Sequence, residues 1–303
     1  MESGWPDLPY DAWRDTRDTL QMYSQVVGKL RLALCAFEPQ WGNVPLYVTA
    51  RGLTTTPIPF EARSFDAELD LIDHVLVIRS SDGGITRRPL GGSVADFYHG
   101  VMDDLAALGL AVAISVLPSE VPDPIPFPQD RIHHTYDPVY ANRFWHVLSR
   151  IDPIFKEHRA RFIGRSSLVH FFWGTFDLAL TRYSGASADP GPDADLIRRL
   201  SANVEQIAAG WWPGDEDHPW PAFYAYAYPR PPGIERAAIG PPAAGWFADA
   251  GEFLLPYSHV RSAADPRTAL VEFLDTTYRA GAARLGWSAE LTEVEGPARA
   301  VGR

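Results

Sequence analysis

The sequence predicts an α+β fold, antiparallel sheet with long amphipathic helices packed on one side, and three observations carry that expectation. Apolar side chains recur every three or four positions over long stretches near residues 12–35, 137–163 and 266–285, the spacing of one buried helix face. Short apolar segments bounded by turn residues lie between them, and SSDGG at 80–84 joins two of these into a hairpin. The run LVHFFWGTFDLALTRYSG (168–185) is bulky or aromatic at both parities, as a strand covered on both faces must be.

In chain order, Asp11 is placed to cap the first helix, whose stripe is Leu20, Tyr23, Val27, Leu30 and Leu34. VPLYVTARGL (44–53) reads as a strand. Phe65, Ala67, Leu69 and Leu71 then alternate with Asp66, Glu68 and Asp70, which predicts a strand with a solvated acidic face. VLVIRS and ITRRPL continue an antiparallel meander. Ser93 with Asp96 resembles a capping box ahead of Val94, Phe97, Val101, Leu105 and Leu108, and Gly109 ends that helix. LAVAISVL (110–117) reads as a further strand.

Residues 118–130 hold five prolines in thirteen positions, which excludes a helix or a sheet interior and marks a stiff connector. Beyond it Asp137 and Pro138 open a long helix carrying Phe144, Leu148, Ile151, Phe155 and Phe162, with a kink or restart expected at Pro153. In the strand at 168–185, a bulge is expected at Gly174. Asp193 or Asp195 starts a helix to about Gln206, GWWPGDEDHPWP (210–221) reads as a turn region, and AFYAYAYP places Tyr224, Tyr226 and Tyr228 on one strand face. GEFLLPY is the next strand, and Asp265–Pro266 open a helix that Gly286 ends. The chain thus parses into an N-terminal half (1–117), a connector (118–136), a C-terminal half (137–288) and a polar tail (289–303). Helix, strands and helix occur on both sides of the connector, and offsets of 128 and 122 superpose Leu20 on Leu148 and Leu46 on Leu168. Duplication of one unit is one reading of this. Chance coincidence of amphipathic periods is the other.

VHFFWGTFDLALTRYSG (169–185), YVTARGLTTTPIPF (47–60) and PDPIPFPQDRIHHTYDP (122–138) resemble a family of bacterial proteins of unknown function. The likeness runs over nearly the whole chain. It implies no activity, ligand or catalytic residue.

Composition narrows the partners. With 38 acidic against 27 basic side chains the net charge is −11, which repels phosphate backbones and argues against nucleic acid. Lys29 and Lys156 are the only lysines, which fits coding bias in a GC-rich genome. A lone Cys35 excludes an intrachain disulfide and fits a reducing cytoplasm. The N-terminus lacks a signal-peptide pattern and no apolar run reaches about 18 residues, so a soluble, cytoplasmic protein with no membrane partner is expected. No glycine-rich phosphate loop and no G-x-S-x-G elbow occur, so no cofactor is expected.

Polar residues inside apolar strands are the candidates for function. His170 and Asp177 are the candidate acid–base groups, although seven positions of one extended strand, roughly 23 Å, would separate them. Tyr47, Arg51, Trp173 and Tyr226 are the candidate ligand-binding side chains, Arg51 for its two-point grip on carboxylate or phosphate and the aromatics as stacking surfaces. Asp130, His133 and His134 are weak candidates for a metal, because their spacing matches no zinc motif and Asp137 beside them is needed as a helix cap. These point to a small-molecule-binding protein or enzyme with an aromatic-lined pocket between the two halves. The alternatives are an interaction or scaffold protein using the aromatic region 211–226, and a metal-dependent hydrolase.

Overall fold

The structure, a computed structural model, describes residues 4–291. The expected tail therefore lies mostly outside the described residues. The chain divides into two compact units, an N-terminal one of Leu8–Ser149 with Phe171–Asp177 and a C-terminal one formed by the rest. The division falls at 149/150, and the proline-rich segment lies inside the N-terminal unit.

The N-terminal unit opens with α1 (Tyr10–Leu34), followed by β1 (Tyr47–Val48), β2 (Gly52–Thr54), β3 (Ile58–Phe60), β4 (Arg63–Asp70), β5 (Val75–Ser80), β6 (Ile85–Pro89) and α2 (Val94–Ala107). Its antiparallel sheet runs β1-β2-β4-β5-β6, with β3 also on β4. Leu53, Ala67, Leu69 and Ile78 from the sheet and Leu20, Val27 and Leu30 from α1 are fully buried. Tyr23 stacks on Phe97 of α2 with ring centres 4.0 Å apart.

Helix α3 (Pro138–Ala160) begins in this unit and continues into the other, followed by β7 (His170–Phe172), β8 (Asp177–Ser187), α4 (Leu196–Ser201), β9 (Val204–Trp212), β10 (Ala222–Tyr228), β11 (Gly245–Phe247), β12 (Glu252–Pro256), α5 (Tyr257–Ser262) and α6 (Pro266–Leu285). The C-terminal unit's sheet is antiparallel in the order β11-β12-β10-β9-β8. Its core includes Trp211, Phe223 and Phe273, with Phe162, Ile207, Ala227, Tyr278 and Ala282 packed together beside them. The fold is α+β, as expected.

Several caps are the expected ones. The Ser93 hydroxyl accepts from Asp96 N, Asp137 caps α3 by accepting from Val139 N at 2.8 Å, and Asp265 caps α6, which ends at Gly286 with φ +69°. Elsewhere the local reading needs correction. Pro9, not Asp11, precedes α1, and α3 runs unbroken through Pro153. Residues 110–117 form no strand, because Phe127 N alone reaches back to Val116 O and no neighbouring strand presents itself. The run 168–185 is two strands separated by a turn in which Phe176 has φ 60°, so the single-strand separation between His170 and Asp177 does not hold. The helix expected to about Gln206 stops at Ser201, and Trp211 and Trp212 belong to β9 rather than to a turn. On β4, Glu68 and Asp70 are buried rather than solvated, held by Arg79 and Arg51.

Candidate functional site

Helix α1 is buried at every residue from Thr19 to Arg31, all the way round its circumference. Gln21, Gln25 and Lys29 among those residues are long and polar, and their spacing of four stacks them in one row. Buried polar groups need partners, and this row finds them in two loops. Gln21 Nε2 donates to Gly174 O at 2.6 Å. Gln25 clamps the backbone of Ser119, donating to its O at 2.9 Å and accepting from its N at 2.8 Å. Lys29 Nζ donates to Ser119 Oγ at 3.0 Å and lies 5.4 Å from the centre of the Trp173 ring.

Trp173 is itself fixed. Its indole N–H donates to Val44 O at 2.8 Å, and its ring lies against Gly28, where a methyl group would run into it. Glu120, next to Ser119, has φ 57°, a conformation that costs a non-glycine residue of order 1–3 kcal/mol.

The electrostatics of Lys29 set it apart. It is 2% exposed and, among the described residues, meets one neutral hydroxyl and one aromatic face, with no carboxylate in ion-pair range. Burial therefore favours the uncharged amine and lowers its pKa from the ordinary 10.5. The Ser119 hydroxyl to which Lys29 donates is only half-buried.

A second polar cluster lies in the C-terminal unit. His158 Nδ1 is 3.2 Å from Asp275 Oδ1, and Arg161 grips the same carboxylate through two bonds of 2.5 and 3.0 Å. Burial pushes His158 down to about 4, against the pull of Asp275, so its ring is neutral at pH 7. Burial alone would raise Asp275, but hydrogen bonds from His158 and Arg161 outweigh it and hold the carboxyl well below its usual range. Arg182 of β8 lies beside them, donating to His158 O.

The expected site residues are each engaged by different neighbours. Arg51 pairs with Asp70 at 2.5 Å and Asp73 at 2.7 Å. Tyr47 lies under the Arg31 guanidinium. Tyr226 stacks on Tyr224 along β10. Asp177 accepts from the Thr175 hydroxyl, and His170 is buried in β7. Only Trp173 belongs to the row built by α1. Asp130 accepts from Ile132 N and His133 N and pairs with His133 Nδ1 at 2.7 Å, while His134 Nδ1 turns to Ile132 O. Among the described residues no three His, Cys, Asp or Glu side chains group as a metal site would require. None of the described helices is long and apolar enough to cross a membrane.

Lys29 and Ser119 escaped the sequence reading because neither sits in a motif. The usable signal was the polar row 21, 25, 29 opposite the apolar stripe of a helix with Gly28 beside it.

The fold and this site define an α+β protein of two compact units, with a lysine amine buried against a serine hydroxyl. The chain belongs to DUF5996, a family of unknown function whose model matches residues 5–294. No curated protein and no solved structure matches it.

Proposed function

We propose that this protein is an enzyme acting on small acyl compounds, with Ser119 as nucleophile and Lys29 as its general base. The reading is carried by one observation, the contact of a buried amine that has no carboxylate with a half-buried serine hydroxyl at 3.0 Å. In the reaction Ser119 Oγ forms a bond to the acyl carbon while its proton passes to Lys29 Nζ. The leaving group departs with that proton, and water then releases the acyl group from Ser119. Gln25 holds the Ser119 backbone in place, and Trp173 forms a wall beside the amine.

The test is covalent labelling of the full chain with p-nitrophenyl acetate and with a fluorophosphonate probe, followed by peptide mass spectrometry. The expected result is one adduct per chain on Ser119, none in Ser119→Ala, and a labelling rate about 100-fold lower or less in Lys29→Met, the size of a general-base contribution. An unlabelled Ser119, or Lys29→Met labelling as fast as the parent, overturns the assignment.

A further inference from the structure

The chain around Ser119 is acidic. Residues 115–129 carry Glu120 and Asp123 and no Lys, Arg or His, and residues 171–177, which touch them at Gly174, carry Asp177 and no basic side chain. Asp177 is buried and accepts from the Thr175 hydroxyl. Glu120, directly after the nucleophile, is exposed.

The Glu120 carboxylate has a defined place. A methyl group added to Gly174 would come within 2.2 Å of Glu120 Oε2, so the carboxylate rests in the space that any other residue's side chain would fill. Both sides of that contact are tied to α1. Gln25 holds the Ser119 backbone through two hydrogen bonds, and Gln21 Nε2 donates to Gly174 O. Adjacent Cα atoms are about 3.8 Å apart, which puts the carboxylate within about 10 Å of Ser119 Oγ.

At that range a unit charge on a substrate is attracted or repelled by about 10-fold in rate, for the effective dielectric near a protein surface. Two cations close by do not cancel this. Burial favours the neutral form of Lys29, and Arg17, which lies over the Phe176 ring, pairs with Asp18 at 2.6 Å. The net charge of −11 adds the same bias at longer range.

We infer that the Ser119 site selects acyl compounds carrying a positive charge a few atoms from the acyl carbon, aminoacyl esters among them, and that Glu120 is the specificity-determining residue. This rests on Ser119 acting as the nucleophile. The test is the rate of Ser119 acylation in the full chain by p-nitrophenyl esters of trimethylammoniobutyrate, of its uncharged carbon isostere and of glutarate, each divided by that ester's rate with hydroxide. The cationic ester is expected to react about 10-fold faster than the isostere and glutarate slowest, with the gaps narrowing in high salt. In Glu120→Gln the three corrected rates should converge, and in Glu120→Lys their order should reverse. Because each ratio is taken on one preparation, partial unfolding of a variant does not alter it. Labelling of Ser119 with equal corrected rates in the parent, or an unchanged preference in Glu120→Gln, overturns the inference and leaves the nucleophile standing. No labelling of Ser119 by any of the three overturns both.

Discussion

Lys29 and Arg182 are both more than nine-tenths buried, one in each unit, and both lie over aromatic rings with no carboxylate in ion-pair range among the described residues. The same environment has opposite consequences for them. For the ammonium, whose ordinary value is 10.5, withdrawal of water lowers the pKa and favours the neutral amine. A guanidinium starts from 12.5, and even lowered to about 10 by burial it stays charged at neutral pH. Burial biases the first toward its neutral form and leaves the second a fixed charge.

Exchanging the chemistry at position 29 is the strongest way to break the comparison. In Lys29→Arg the site must hold a cation that cannot discharge, and a loss of roughly 3–5 kcal/mol is expected, the scale of an uncompensated buried charge. In Lys29→Met a neutral side chain of similar length replaces an amine whose neutral form burial favours, and the Ser119 hydroxyl turns to solvent. A change within about 1 kcal/mol is expected there. Urea unfolding at pH 7 compares the two. An arginine variant as stable as the parent would mean that Lys29 is charged in the native protein, and the contrast with Arg182 would vanish.

Protonation sharpens the comparison next. His158 faces Asp275, Arg161, Arg182 and the Tyr278 ring, and is neutral in the folded state down to about pH 4 against 6.5 when unfolded. Between those values the unfolded chain binds the extra proton. Stability should therefore fall as pH drops from about 6.5 to about 4, by up to roughly 3 kcal/mol at about 1.4 kcal/mol per pH unit. The His158→Gln variant should lack that slope. Lys29 works on the alkaline side by the same rule. Its folded pKa is lowered, so the parent should gain stability relative to Lys29→Met as pH rises toward 10.5 and level off above it. Parallel unfolding curves for parent and variant across either window would show the group to be unshifted.

Much of the architecture was legible in the residues. Capped helices such as α2 and α6 could be bounded to within a residue, because Ser93, Asp265, Gly109 and Gly286 act through local backbone geometry. The alternation in β10 likewise set Tyr224, Tyr226 and Tyr228 on its half-buried face. What failed depended on distant partners. AVAISVL has a strand's composition, but no ladder reaches it. Asp70 and Glu68 look like a wet face until Arg51 and Arg79 cover them. The site was the least legible part, because an amphipathic reading of α1 assigns Gln21, Gln25 and Lys29 to solvent, whereas the loops at 119 and 174 close over them.

The smallest effect concerns the aromatic surfaces, and two helix glycines separate a rigid one from a yielding contact. At Gly28 an added methyl meets the Trp173 ring, which Val44 O holds by a 2.8 Å hydrogen bond. At Gly100 it meets only the end of Arg88, a partly exposed side chain that pairs with Asp104 at 2.7 Å and can swing aside. Alanine is the better helix former by up to about 1 kcal/mol at both positions. Overpacking against a fixed ring costs about 1–3 kcal/mol. Gly28→Ala should therefore lose about 1–2 kcal/mol, and Gly100→Ala should be neutral or slightly stabilised. Because Trp173 must shift in the first variant, acylation of Ser119 should also slow there although both reactive groups remain, and stay at the parent rate in the second. Equal stability and equal labelling in the two variants would show that the Trp173 face is free to move, and that the setting of Lys29 does not depend on it.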